Sequence, residues 1–133
     1  MYHFADTGQR LLFPHLGNVI INDDVVIGSS CVIVKGQLKD TLIGSGVRVG
    51  NLVNIGHNVS IGSDTAISSS CSVAGGAKIG RACNIAAGVI INAKINIGDS
   101  VHVGLGSVVT KTLPSCQSFF GNPAKKLPTM RPF

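Results

Sequence analysis

An all-β chain wound as a parallel β-helix of hexapeptide repeats is the fold class this sequence predicts, and three observations predict it. The first is a register. Every sixth residue from Ile43 onward is Ile or Val: Ile43, Val49, Ile55, Ile61, Ile67, Val73, Ile79, Ile85, Ile91, Ile97, Val103 and Val109, without exception. The second is the residue that follows these anchors, which is glycine at Gly44, Gly50, Gly56, Gly62, Gly80, Gly98 and Gly104. The third is the position four after each anchor. It holds Val47, Val53, Val59, Thr65, Cys71, Ala77, Cys83, Val89, Ile95, Val101 and Ser107, all small or β-branched, as core positions usually are. A period of six matches neither the period of an α-helix nor the alternation of a simple strand. It matches a prism whose flat faces are each one hexad long.

Taken in order, residues 1–18 have no register and form a lead-in segment. Ile21, Ile27 and Ile33 begin the hexads. The next anchor, Ile43, comes ten residues later instead of six, so four residues are inserted within 34–42 (VKGQLKDTL). An insertion at a corner leaves the later coils in phase, and loops that project from a solenoid often shape its binding site. Three hexads close one coil, so residues 18 apart stack: Ile43, Ile61, Ile79 and Ile97 in one column, Val49, Ile67, Ile85 and Val103 in a second, Ile55, Val73, Ile91 and Val109 in a third. Successive coils pair as parallel strands about 4.8 Å apart. The corner glycines are expected to supply unusual φ/ψ values. About five coils fill residues 19–112. The register ends at TKTLP (110–114), and residues 113–133 are expected to form a short irregular tail, with a few residues extending along the prism and no long helix.

Composition bounds the function. The 133 residues make one domain, 13% charged and 44% hydrophobic, with 17 glycines. No run of about 18 apolar residues occurs, so no membrane-spanning helix is expected. No basic stretch leading into an apolar one opens the chain, so no secretory signal is expected, and the expected location is cytoplasmic. The net charge of +5 is either an ordinary solvated surface or an attraction for a phosphate-rich ligand such as coenzyme A, an acyl carrier protein or a nucleotide sugar. Nucleic acid is not expected, because no basic run is interleaved with stacking aromatics. Cys31, Cys71 and Cys83 each fall four residues after an anchor and read as small buried hydrophobes; Cys116 lies outside the register and reads as a loop thiol. An isolated prism exposes apolar sides and open coil ends, so self-association is expected.

Four histidines are present. His3 lies in the lead-in, His15 just before the first hexad, and His102 directly before anchor Val103. His57 stands two residues after anchor Ile55, immediately after Gly56, which puts it at a corner with its side chain outside the prism. A metal-dependent hydratase would need three converging histidines. His57 and His102 are 45 residues apart, not a whole number of 18-residue coils, and no metal site is expected.

The stretch NLVNIGHNVSIG (51–62), running on to SVAGGAKIG (72–80), resembles the UDP-3-O-(3-hydroxyacyl)glucosamine N-acyltransferases of lipid A synthesis. Their pattern is N-L-V-x-I-A-H-N-V-x-I-G…A-G-x-x-K-I-G. FPHLG (13–17), VII (19–21) and the ten-residue gap from Ile33 to Ile43 resemble the upstream part of that family, so the likeness covers roughly residues 13–110. The resemblance implies a left-handed parallel β-helix, an exception to the usual crossover hand. It also implies homotrimers with active sites between subunits, and His57 as the catalytic base. The chain departs from the family in showing neither its N-terminal uridine- and acyl-binding domain nor its C-terminal helical extension. Lys94, in INAK (91–94), stands where enterobacterial members carry a second histidine. The ending GNPAK (121–125) resembles instead the small acetyl-CoA-dependent sugar acetyltransferases. Several of those have an acid after the histidine, where this chain has Asn58. The group orienting the imidazole is therefore open, between Asp40, Asp64 and a backbone carbonyl.

The expected chemistry is direct acyl transfer. An imidazole titrating near neutral pH takes the proton of a sugar amine, and the amine attacks a thioester carbonyl without a covalent enzyme intermediate. Gly75 lies one coil above His57, and the amide of Gly75 or Gly76 is expected to receive the oxyanion. Ala93 and Lys111 continue that column. They and Lys94 are expected to meet the donor, with Asn122, Pro123, Lys125 and Lys126 covering its adenine end if it is coenzyme A. Asn51, Asn54 and Asn58 are expected to meet the acceptor. The GNPAK ending favours acetyl-CoA, and the H-N-V core a hydroxyacyl carrier protein. Sugar or serine O-acetylation, and a non-catalytic trimerisation scaffold, are the alternative readings.

Overall fold

The structure, a computed structural model, describes residues 2–4 and 6–128, the first three by their backbone alone. The end of the expected tail, 129–133 with Arg131, lies outside the described residues, as does the side chain of His3. The lead-in begins with an antiparallel pair, Tyr2–Phe4 (β1) and Arg10–Leu12 (β2). The hexads then wind into a left-handed parallel β-helix with three flat faces. The first face stacks Val19–Ile21 (β3), Thr41–Ile43 (β6), Ser60–Ile61 (β9), Lys78–Ile79 (β12) and Asn96–Ile97 (β15). The second stacks Val26–Ile27 (β4), Arg48–Val49 (β7), Ala66–Ile67 (β10), Asn84–Ile85 (β13) and His102–Val103 (β16). The third stacks Val32–Ile33 (β5), Asn54–Ile55 (β8), Ser72–Val73 (β11), Ile90–Ile91 (β14) and Val108–Val109 (β17).

The pairing follows the column arithmetic. Ile43 lies beside Ile61, Ile67 beside Ile85, and Val73 beside Ile91, each 18 residues apart. In the first coil Ile21 pairs with Ile43, Ile27 with Val49 and Ile33 with Ile55, a step of 22 that absorbs the four inserted residues. Strand alternation sends one residue of each pair outward and the anchor inward. Anchors from Ile43 to Val109 are buried, and so are the residues four positions later, except the partly buried Ile95. In the first coil, which has a neighbour on one side only, Ile27, Cys31 and Ile33 are partly buried and Ile21 is 47% exposed.

The structure departs from expectation at the tail. The described part of the tail, residues 113–128, holds regular pairing. Leu113 bridges to Ile97, and Ser118–Phe120 (β18) pairs in parallel with β16 at a step of 16, burying Phe119. Lys125–Lys126 (β19) then returns antiparallel to β18. The prism thus has five coils and a partial sixth, and its last coil is covered.

The corner glycines also serve a different purpose from the expected one. The left-handed residues stand three positions after the anchors, from Gly46 to Gly106, with φ between +51° and +75°, and most are not glycine. The glycines directly after the anchors are there because the next coil passes too close for a side chain: a Cβ on Gly56 would come within 2.8 Å of the Gly75 nitrogen.

The inward cysteines are also more than apolar filler. The thiols of Cys31, Cys71 and Cys83 donate to the carbonyls of Gly50, Ala86 and Gly98, each at 3.0 Å, as the Thr65 hydroxyl does to Gly80 at 2.7 Å. Burial pushes the Cys71 and Cys83 thiols above their ordinary range. In the native state they therefore keep protons that the unfolded chain loses above about pH 9. Their contribution to stability is full at neutral pH and falls as the pH rises past that point. Maleimide is expected to label the exposed Cys116 rapidly and Cys71 and Cys83 only on denaturation; peptide mapping checks this.

Candidate active site

His57 sits on the corner between the third and first faces. Strand β8 ends at Ile55, Gly56 admits the coil above, and Asn58 takes the left-handed conformation at φ +59° before Val59 turns back into the core. Asparagine tolerates that conformation better than most residues. Its side chain there is fully engaged. Asn58 Nδ2 donates to the Lys39 carbonyl at 2.8 Å, and Asn58 Oδ1 accepts the Gln37 N–H at 3.0 Å. The Asn58 N–H donates to Thr41 Oγ1 at 2.9 Å, and that hydroxyl donates to the Val34 carbonyl at 2.7 Å. The inserted loop is thereby tied to the histidine corner.

These bonds decide the state of the imidazole. Asn58 Oδ1 lies 3.0 Å from His57 Nδ1, and the other contacts of the amide fix the oxygen on that side. Nδ1 therefore carries the hydrogen and donates it, which leaves the lone pair on Nε2. The orienting group is a side-chain amide, not Asp40, Asp64 or a backbone carbonyl. Asp40 is engaged by the Asn18 N–H at 2.8 Å, and Asp64 stands at another corner against Gly46.

Gly75, in the coil above, lies over the ring: a Cβ there would overlap His57 Nε2. Its N–H donates to no acceptor among the described residues. Gly76 is excluded as oxyanion donor, because its N–H already donates to the His57 carbonyl at 2.9 Å. Gly75→Ala is expected to leave the prism folded and to lower any activity that depends on His57 by about 10²-fold, since about 1 Å of misplacement can cost that much. Turnover alongside a melting curve checks it.

An open groove of about 770 Å³ starts beside this corner and runs over the first face. Leu38, Lys39 and Asp40 of the loop form one wall; Asn58 and Gly76 border the corner; Leu42, Ser60 and Lys78 form the floor. Of the residues expected to meet an acceptor, the groove reaches only Asn58. Asn51 belongs to the corner between the second and third faces, where its Oδ1 accepts the Ser29 N–H at 2.8 Å, and Asn54 points out from the third face.

Among the expected donor contacts, Lys94 packs its stem over Gly76, and its N–H donates to the Gly75 carbonyl at 3.1 Å. Ala93 stacks on Gly75 in the column of His57, and Lys111 stands three coils beyond His57, roughly 14 Å at parallel-strand spacing. The tail residues are elsewhere. The stretch holding Asn122 and Pro123 crosses the end of the third face, with Val108 bonded to the Gly121 carbonyl and Ala124 to the Val108 carbonyl. Lys125 and Lys126 lie over the end of the second face.

In the sequence Lys78 counts only among the basic residues that could attract a phosphate-rich ligand, and neither Lys39 nor Ser60 is marked out. Ser60 and Lys78 could have been found, since with Leu42 they directly precede the stacked anchors Ile43, Ile61 and Ile79. His15 was also missed: its ring lies edge-on to His57 with centroids 6.0 Å apart, and no column connects it to that corner. Among the described residues no three potential ligands come together as a metal site, and no helix is long and apolar enough to cross a membrane.

The architecture is one that solved acyltransferases share. The chain is similar to the UDP-N-acetylglucosamine O-acyltransferase (LpxA) of Moraxella catarrhalis RH4, with a TM-score of 0.81 and 28% identity over 82% of this chain and 44% of that one. PerB of Caulobacter crescentus, solved with CoA and GDP-perosamine, shares the fold at a TM-score of 0.68 and 22% identity, over 85% of this chain and 58% of that one. In sequence, the UDP-3-O-acylglucosamine N-acyltransferase of Coxiella burnetii (strain RSA 493 / Nine Mile phase I) is 46% identical over 48 residues. Those residues are 36% of this chain and 14% of the Coxiella protein. No family profile matches the chain.

Proposed function

We propose that this chain is the catalytic solenoid of an N-acyltransferase. It would move an acetyl or hydroxyacyl group from a thioester to the amine of a nucleotide-linked amino sugar, in bacterial surface polysaccharide or lipid A synthesis. The observation that carries this reading is the pairing of His57, whose Nε2 is left as the base by Asn58, with the open amide of Gly75 directly above it. The amine nitrogen forms a bond to the thioester carbonyl carbon while Nε2 takes its proton. The carbonyl oxygen becomes the oxyanion and is met by the Gly75 N–H. Collapse breaks the carbon–sulfur bond, and the thiolate leaves with the proton held by the imidazolium.

The groove over the first face fits the acceptor, with Lys39 and Lys78 suited to its phosphates and Ser60 to its hydroxyls. The donor would run over Gly75 and Ala93 toward Lys94 and Lys111, as coenzyme A or as the phosphopantetheine of an acyl carrier protein. PerB was solved with CoA and a GDP-linked sugar, which supports both ligand classes. No step of this chemistry calls for a metal. A homotrimer in the cytoplasm is the expected setting; the outward Val32 and Ile90 on the third face, 56% and 49% exposed, support association between copies.

O-acylation is the second reading, favoured by the name of the Moraxella enzyme. The same base serves a hydroxyl, so the product decides. Incubation with acetyl-CoA or a hydroxyacyl carrier protein and a panel of UDP- and GDP-linked amino sugars is expected to give an amide, seen by mass spectrometry as an acyl adduct stable to mild base. A base-labile ester would favour the second reading, and no product with any pair would sink both.

A further inference from the structure

We infer that His15 is a positioning residue for His57: its imidazole, set edge-on to the catalytic ring, fixes the plane in which Nε2 faces the coil above. The activity part of this inference rests on the acyltransferase reading. The two rings cross at 80° with centroids 6.0 Å apart, the edge-to-face geometry that aromatic rings favour over a face-to-face stack.

The backbone places His15 there. Leu16 and Gly17, the next two residues, donate to the Gln37 carbonyl at 2.7 and 2.8 Å, and Gly17 also to the Gly36 carbonyl at 3.0 Å. Gly17 is buried, and a Cβ on it would come within 2.9 Å of the Gly36 oxygen, so only glycine lets the lead-in pass this close to the loop. The same loop is gripped by Asn58 through Gln37 and Lys39. One hydrogen-bonded network thus sets both imidazoles.

The two restraints on His57 are complementary. The bond from Nδ1 to Asn58 Oδ1 holds one edge of the ring but lets the ring rock about that bond. An aromatic ring set crosswise against it opposes the rocking and has a preferred angle, which an aliphatic side chain lacks. Proton abstraction from a bound amine is sensitive to that angle, because productive geometry tolerates little displacement.

Steady-state transfer by the full chain tests the inference. His15→Ala is expected to lower kcat about three- to tenfold while KM for both substrates stays within about twofold, and His15→Phe, which keeps a ring without nitrogens, to restore most of kcat. An unchanged kcat in His15→Ala overturns the inference. So does a Phe variant as slow as the Ala variant, which would assign the loss to a ring nitrogen. A second readout needs no substrate. Carbethoxylation of His57 by diethyl pyrocarbonate, followed by peptide mass mapping, is expected to speed up in His15→Ala and to return toward the original rate in His15→Phe; equal rates in all three proteins overturn the positioning role. If the unsubstituted protein transfers no acyl group, the acyltransferase reading fails, and the carbethoxylation rates still decide the question of His15.

Discussion

His57→Ala is expected to lower acyl transfer by about 10²–10⁴-fold, the usual contribution of a positioned general base, and to leave the thermal melt of the protein unchanged. The two halves of this result have separate physical causes. The loss follows from removing Nε2, the one lone pair that Asn58 leaves directed away from the loop. The unchanged melt follows because the side chain lies outside the prism. The structural bond at this residue is made by its main-chain oxygen, which accepts the Gly76 N–H at 2.9 Å whatever the side chain. Equal transfer rates in the variant and the original protein would sink the catalytic assignment and favour a non-catalytic scaffold. A lowered melt would mean that the imidazole carries more of the fold than its position implies.

The second large effect concerns the prism itself. Deleting Ala87, a corner residue, shifts every later position by one. Because strand side chains alternate, a slip of one turns each inward residue outward. The anchors Ile91, Ile97, Val103 and Val109, none more than 4% exposed, would all be displaced from the core. Burying an Ile or Val side chain is worth about 1.5–3 kcal/mol, so four together approach the whole stability of a typical domain, about 5–15 kcal/mol. The deletion variant is expected to show no cooperative unfolding by circular dichroism, while Ala87→Gly unfolds cooperatively. Deleting Leu38 is the informative contrast. It shortens the loop where four residues are already extra, leaves the columns in phase and should still fold, so a loss of folding there would contradict the corner-insertion account.

The core was legible in the sequence because a solenoid repeats one local decision, and the anchors from Ile43 to Val109 state it twelve times. Three things escaped the period. The left-handed corner position is filled by residues as different as Leu52, Ala82 and Lys94, so composition carries no signal there, and the glycines two positions earlier suggested the wrong cause. The partial sixth coil runs at a step of 16, and TKTLP breaks the hexad that would have revealed it. The groove is built partly from the loop, and His15 stands against the His57 ring; neither has a column position, so spacing alone could place Gly75 over His57 but could not say what stands beside them. The orienting group is hidden for a chemical reason: the amide of Asn58 accepts the hydrogen bond that an acid would, without a charge to mark it.

The step of 18 residues between stacked positions has one more consequence. Each coil touches only the coils before and after it, and the His57 corner draws on the lead-in, the loop, and the coils carrying Asn58, Gly75 and Lys94. Beyond these the prism is a pedestal. Whole coils could be added between Ile97 and Leu113 without moving an atom near His57. The height of the pedestal, and with it the reach from the imidazole to whatever binds at the far end, is a dial that can turn independently of the chemistry.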